Sequence, residues 1–148
     1  MRRATSTTIF TGNPSVNSVF ADTSFYIALL NHRDVDHDKA VRFRAGYRGK
    51  YFTTDFVIVE LGNWLSAIRE RPIFLQLVDA LRQDPMTTIL PATTEWISRG
   101  LQFFRKRLDQ EWSLTDCMSF LAMEDLQITD ALTADHHFEQ AGFAALLK

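Results

Sequence analysis

Residues 19–30 read VFADTSFYIALL, and this stretch decides the fold. Val19-Phe20-Ala21 is a short, continuous apolar run with the character of a buried strand. It stops at Asp22, and Thr23 or Ser24 can cap the helix that follows from Phe25 to Leu30. A buried strand running straight into a helix is the opening of a βα unit. The rest of the chain can therefore be searched for its repetition.

The repetition is there. Ala40, Val41, Phe43 and Tyr47 mark a helix over residues 36–47, bounded by Gly46 and Gly49, and Tyr51 to Thr54 is a second strand. Asp55 opens a helix expected to reach about Glu70, with Val57, Leu61, Trp64, Leu65 and Ile68 on one face. Pro72 sits where a further helix starts, carrying Phe74, Leu75, Val78 and Leu81. Thr87 to Leu90 is a third strand. Thr94 to Arg107 is helical, with Trp96, Ile97, Leu101, Phe104 and Leu108 as its apolar face. Ser113 caps a helix to about Leu126, Ala131 to Thr133 is a fourth strand, and His137 to Gln140 is a short helix closed by Gly142. Phe143 to Leu147 is the last candidate strand. Strands alternating with helices predict an α/β domain, a parallel sheet covered by helices, over residues 18–148. Residues 1–17, rich in Ser, Thr, Asn, Gly and Pro, read as a flexible tail with no continuous apolar segment of a signal peptide.

Composition narrows the chemistry. With 148 residues, 46% hydrophobic and 23% charged, the chain has the length and balance of one globular domain. Its formal net charge of −2 supplies no global attraction for a polyanion, so nucleic-acid binding must be local or metal-assisted. The single cysteine, Cys117, cannot form an internal disulfide, and no Cys/His spacing suggests zinc, which fits a cytoplasmic protein. No apolar run reaches the ~18 residues that span a bilayer. A P-loop, a G-x-S-x-G and a G-x-G-x-x-G are all missing.

Four carboxylates stand out. Ligands of open parallel sheets bind at the carboxyl ends of the strands. Asp22 and Asp135 each lie just past such an end, Asp116 lies in the first turn of a helix, and Glu60 follows the second strand. Each has a plain alternative. Asp22 and Asp135 can be caps or turn formers, and Asp116 can complement a helix dipole. Glu60 is expected to be buried among the aliphatics Val57, Ile58, Val59 and Leu61, where a charge is costly unless paired, which makes a plain structural role hardest to defend. Carboxylates brought together repel each other, and a hard divalent cation resolves that repulsion with oxygen ligands.

The chain resembles the PIN-domain family, and within it the VapC-type toxins. The segments that carry the resemblance are Val19 to Ser24, Thr53-Thr54-Asp55 leading to Val59-Glu60-Leu61, Ser113 to Cys117, and Ala131 to Phe138. It implies a three-layer α/β/α PIN-like domain with a short parallel sheet. It also implies an acidic pocket for Mg2+ or Mn2+ at Asp22, Glu60, Asp116 and Asp135, and hydrolysis of RNA phosphodiesters. Ser24 resembles the family's hydroxyl near the metal, and Thr115 and Thr133 are candidates to orient ligands or water by hydrogen bonds. Similar toxins form homodimers and bind an antitoxin protein, whose arginine can enter the acidic pocket. A PIN nuclease of RNA processing and a non-catalytic RNA- or protein-binding module are the alternatives. Asp130, at the start of the fourth strand, is placed outside the ligand set. His136 and His137 are expected at the surface or in a cap, and Cys117 as a buried small residue. The basic runs Arg42 to Lys50, Arg69 to Arg71 and Arg105 to Arg107 are candidate phosphate contacts or solvated faces.

Overall fold

The computed structural model describes residues 17–148, and the expected flexible tail lies, apart from Asn17, outside the described residues. The order of elements is β1 (Ser18–Ala21), α1 (Thr23–Leu30), α2 (His37–Gly46), β2 (Lys50–Thr54), α3 (Asp55–Trp64), α4 (Arg71–Gln83), β3 (Thr87–Leu90), α5 (Thr94–Lys106), α6 (Leu114–Leu126), β4 (Asp130–Leu132), α7 (His136–Gln140) and β5 (Ala144–Ala145). All strand pairs are parallel, in the order β3-β2-β1-β4-β5. Right-handed crossovers in this order put α1 to α4 on one face and α5 to α7 on the other, a three-layer α/β/α sandwich. The direction of travel reverses between β1 and β4, so the crevice beyond their carboxyl ends is the switch point of the sheet.

The core explains the strand sequences. Val19, Phe20, Ala21, Ala131 and Leu132 are buried, as expected of central strands covered on both faces. Phe120 on α6 packs edge-on against Phe138 on α7, with ring centroids 4.9 Å apart, and Phe138 meets Phe20. These contacts clamp α6 and α7 onto the sheet beside the switch point. Helix α6 is the most buried, carrying eight buried residues from Asp116 to Met123.

Three expectations change. The helix after β2 ends at Trp64 rather than near Glu70, and Trp64 and Ile68 are exposed instead of continuing the packed face of Val57 and Leu61. Its cap is Thr54, which accepts from the Val57 N–H, while Asp55 accepts from the Ala92 N–H. Thr23 and Ser24 do not cap α1 but lie within it, and Asp22 takes the N-cap position without a side-chain capping bond. Finally, Ile97, Leu101, Phe104 and Leu108 are exposed. Helix α5 instead seats Gly100 against the Met118 side chain, with Trp96 and Phe103 half-buried on the core. Because α6 already fills the space over the sheet, α5 is an outer helix and only a narrow strip of it is covered.

Candidate metal centre

Register places the first two site residues. Ala21 pairs with Leu132, and the Asp22 N–H continues the ladder to the Leu132 carbonyl at 3.2 Å. Asp22 and Thr133 therefore emerge side by side from adjacent strands. The Thr133 hydroxyl donates to Asp22 Oδ2 at 3.0 Å, and the Ser24 hydroxyl lies 3.2 Å from the same oxygen. The two hydroxyls are 3.0 Å apart, and the Thr133 oxygen also accepts the Asp135 N–H. Ser24 and Thr133 thus fix the Asp22 carboxylate, as their hydroxyls suggest. Thr115 behaves differently. It lines an open groove with Phe56, Val59, Glu60 and Asn63, and the bonds to its neighbour Asp116 come from other residues.

Asp116 is placed by α6. Ser113 and Asp116 form a capping box: the Ser113 hydroxyl accepts the Asp116 N–H, and Asp116 Oδ2 accepts the Ser113 N–H at 3.1 Å. Asp135 caps α7, its Oδ1 accepting the His137 N–H at 2.9 Å. Capping therefore does occur at both positions, and each cap uses a single oxygen. Among the described residues no protein hydrogen bond reaches Asp116 Oδ1 or Asp135 Oδ2. Glu60 is half-buried on the groove and Val59 beside it is 62% exposed, so the expectation of burial among aliphatics does not hold. Successive helical residues point about 100° apart, and apolar sequence neighbours do not enclose a helical side chain. Asp130 begins β4 at the far end of the sheet, as expected.

His137 was missed as a site residue. Its Nδ1 lies 3.1 Å from Asp116 Oδ2 and 3.5 Å from Asp135 Oδ1, with the side chain only 20% exposed. The signal available was its place two residues after Asp135, next to Phe138, whose burial sets the rotation of α7. His136 is exposed as expected. Cys117 is buried, and burial followed by the Asp116 charge pushes its thiol up to about 11, which suits a structural residue rather than a nucleophile.

Electrostatics tie the four acids together. Asp22 is 5% exposed, and its acid group is pushed up to about 7, first by burial and then by the charges of Asp116 and Glu60. The Asp116 acid group is also raised, by burial first, with Asp135 adding to it and His137 opposing. Among the described residues no Lys or Arg forms an ion pair with any of these carboxylates; the side chains near them are the imidazoles of His136 and His137. The basic runs are elsewhere: Arg107 pairs with Asp109 and covers Trp112, and Arg48 bonds the carbonyls of Ala45 and Tyr47. Two buried acids, Asp22 and Asp116, and two half-buried ones, Glu60 and Asp135, without a lysine or arginine among them suit a divalent cation held by oxygen ligands, and the tightest possible ligand group among the described residues is Asp135 with His136 and His137.

The fold is an α/β/α domain with Asp22, Asp116 and Asp135 near the sheet's switch point and Glu60 on an adjoining groove. A family model of the PIN domain matches residues 19–144, and the chain belongs to the PIN-domain family. It is 26% identical over 125 residues to the 23S rRNA-specific endonuclease VapC20 of Mycobacterium tuberculosis, an alignment covering 84% of this chain and 95% of that protein. The crystal structure of that VapC20, described as a Sarcin-Ricin loop cleaving toxin, superposes with a TM-score of 0.77 at 25% identity, covering 85% of this chain and 96% of that one. FitAcB from Neisseria gonorrhoeae shares the fold with a TM-score of 0.63 at 17% identity, covering 86% of this chain and 95% of that one. VapBC2 from Rickettsia felis, bound to a promoter DNA fragment, shares it with a TM-score of 0.60 at 12% identity, covering 87% and 96%.

Proposed function

We propose that the chain is a Mg2+- or Mn2+-dependent endoribonuclease and the toxin of a type II toxin–antitoxin pair. The observation that carries this reading is the buried Asp22 carboxylate beside Asp116 and Glu60 with no Lys or Arg ion pair among the described residues. The likeness to a 23S rRNA-specific endonuclease over most of both chains supports RNA as substrate and the toxin role. Asp22, Glu60, Asp116 and Asp135 would hold the cation, and Ser24 and Thr133 would orient Asp22. A divalent cation bound there supplies a water acidified toward neutral pH and a positive charge beside the scissile phosphate. The chain's own contribution is to keep three aspartates anchored by one oxygen each and to exclude water around Asp22.

The proposed partners are an antitoxin protein and a second copy of the chain, and the proposed location is the cytoplasm. Exposed apolar side chains support an assembly larger than the monomer: Trp64, Ile68 and Ile73 on the surface between Trp64 and Phe74, where a dimer contact or antitoxin groove is the alternative to core, and Ile97, Leu101 and Phe104 on α5. Among the described residues no helix is long and apolar enough to cross a membrane.

The test is cleavage of a ribosomal RNA stem-loop with Mg2+, with Mn2+, with chelator, and by Asp22→Asn. Cleavage should need the cation, and Asp22→Asn should reduce it by at least about 100-fold, since the cation's charge stabilisation amounts to several kcal/mol. Equal activity in all four arms would overturn the reading.

A further inference from the structure

His137 joins the two acids that chain order keeps apart. Asp116 stands on α6 and Asp135 follows β4, 19 residues later. The His137 N–H is held by Asp135 Oδ1 at 2.9 Å, and its ring Nδ1 reaches Asp116 Oδ2 at 3.1 Å. The same Oδ2 accepts the Ser113 N–H, so two donors converge on one oxygen, and among the described residues the other, Oδ1, has no protein hydrogen bond. A backbone N–H alone anchors a carboxylate oxygen but does not stop the group rotating about its Cβ–Cγ bond. A second donor arriving from a different element does.

We propose that His137 is the positioning residue of this centre: its Nδ1–H locks the Asp116 carboxylate so that Oδ1 is presented to the divalent cation. This rests on the metal-dependent reading above. It assigns the proton to Nδ1, and it makes the α6 and α7 carboxylates one rigid unit instead of two independent ligands. Donors that hold ligating carboxylates from behind raise metal affinity by about 10- to 100-fold.

The experiment measures Mn2+ binding by electron paramagnetic resonance on the wild-type chain and on His137→Ala, His137→Asn and His137→Gln, with thermal melts as a folding check. The Asn amide N–H can occupy the place of Nδ1, whereas the Gln amide reaches the place of Nε2. His137→Ala should weaken Mn2+ binding at least about tenfold, His137→Asn should restore it to within about threefold, and His137→Gln should not. If His137→Ala does not fold, the contrast between Asn and Gln carries the same information. Wild-type affinity in His137→Ala or in His137→Gln would overturn the proposal. So would failure of Asn to rescue, or a nitrogen coupling in the wild-type Mn2+ spectrum, which would make His137 a ligand. Absence of Mn2+ binding by the wild type would instead overturn the metal-dependent reading, and the role of His137 with it.

Discussion

Asp22 is the residue on which the chemistry turns, and its environment makes a measurable demand. Its acid group sits at about 7 in the fold against an ordinary 3.8, so the folded chain holds that proton more tightly than the unfolded one. Below the unfolded value both states are protonated and the shift has no effect. As pH rises through the window between the two values, the unfolded state ionises first and the metal-free fold loses stability, by about 4 kcal/mol in total at 1.36 kcal/mol per unit. Above about 7 the loss is complete. The melting temperature of chelator-treated protein should therefore fall between pH 4 and pH 7, a profile that Asp22→Asn should flatten and saturating Mg2+ or Mn2+ should counter by stabilising the ionised cluster. A metal-free melting temperature that climbs through the window, identically in wild type and Asp22→Asn, would contradict this assignment. Asp22 was legible in the sequence because the end of a buried strand is a local feature. His137 was not, because its meaning lies in a contact with Asp116, 21 residues earlier, that only the docking of α7 on Phe20 and Phe120 creates.

Among the elements, α6 shows how a local rule and a functional site share residues. Ser113 was readable as a cap from its type and place, and the helix runs from Leu114 to Leu126 as that reading implies. Ser113→Ala removes the hydroxyl that accepts the Asp116 N–H and should cost about 1 kcal/mol. In a chain of this size that is about 3 °C of melting temperature, and Ser113→Thr should retain most of it. A melt of Ser113→Ala unchanged from wild type would show that the cap adds nothing. Helix α5 teaches the opposite lesson. Its periodicity correctly announced a helix with an apolar face, yet Ile97, Leu101 and Phe104 are 41%, 46% and 42% exposed. Periodicity reports that one face is apolar but not whether the chain itself covers it. The early end of α3 has the same origin, since Ile68 continues the spacing of Val57 and Leu61 but is 88% exposed.

At the scale of the whole molecule, the sheet order carries the site and the outer helices carry the unsolved surface. Alternating strands and helices were enough to predict a parallel sheet, but not the order β3-β2-β1-β4-β5 that brings Asp22 beside Thr133 and Asp135. The α5 face is one consequence of the misread burial, beside the more exposed Trp64 and Ile68 at and beyond the end of α3. Ile97, Leu101, Phe104 and Leu108 recur at helical spacing along the outside of α5 and its exit, a continuous apolar stripe rather than scattered residues. A stripe repeated on an identical chain is self-complementary, and a two-fold pair of such helices buries it on both copies at once. The expected outcome is a dimer in sedimentation equilibrium at micromolar concentration. Leu101→Glu combined with Phe104→Glu should convert it to a monomer that still folds, because Leu101 and Phe104 are already 46% and 42% exposed there. A wild-type chain that stays monomeric at about 100 μM, where even a weak interface worth roughly 6 kcal/mol would be populated, would reject self-association. A double variant that remains dimeric would move the interface away from α5. If the dimer forms through α5, the two acidic centres stay open, because α5 lies on the outer face of the sandwich while the switch point opens at the carboxyl ends of β1 and β4.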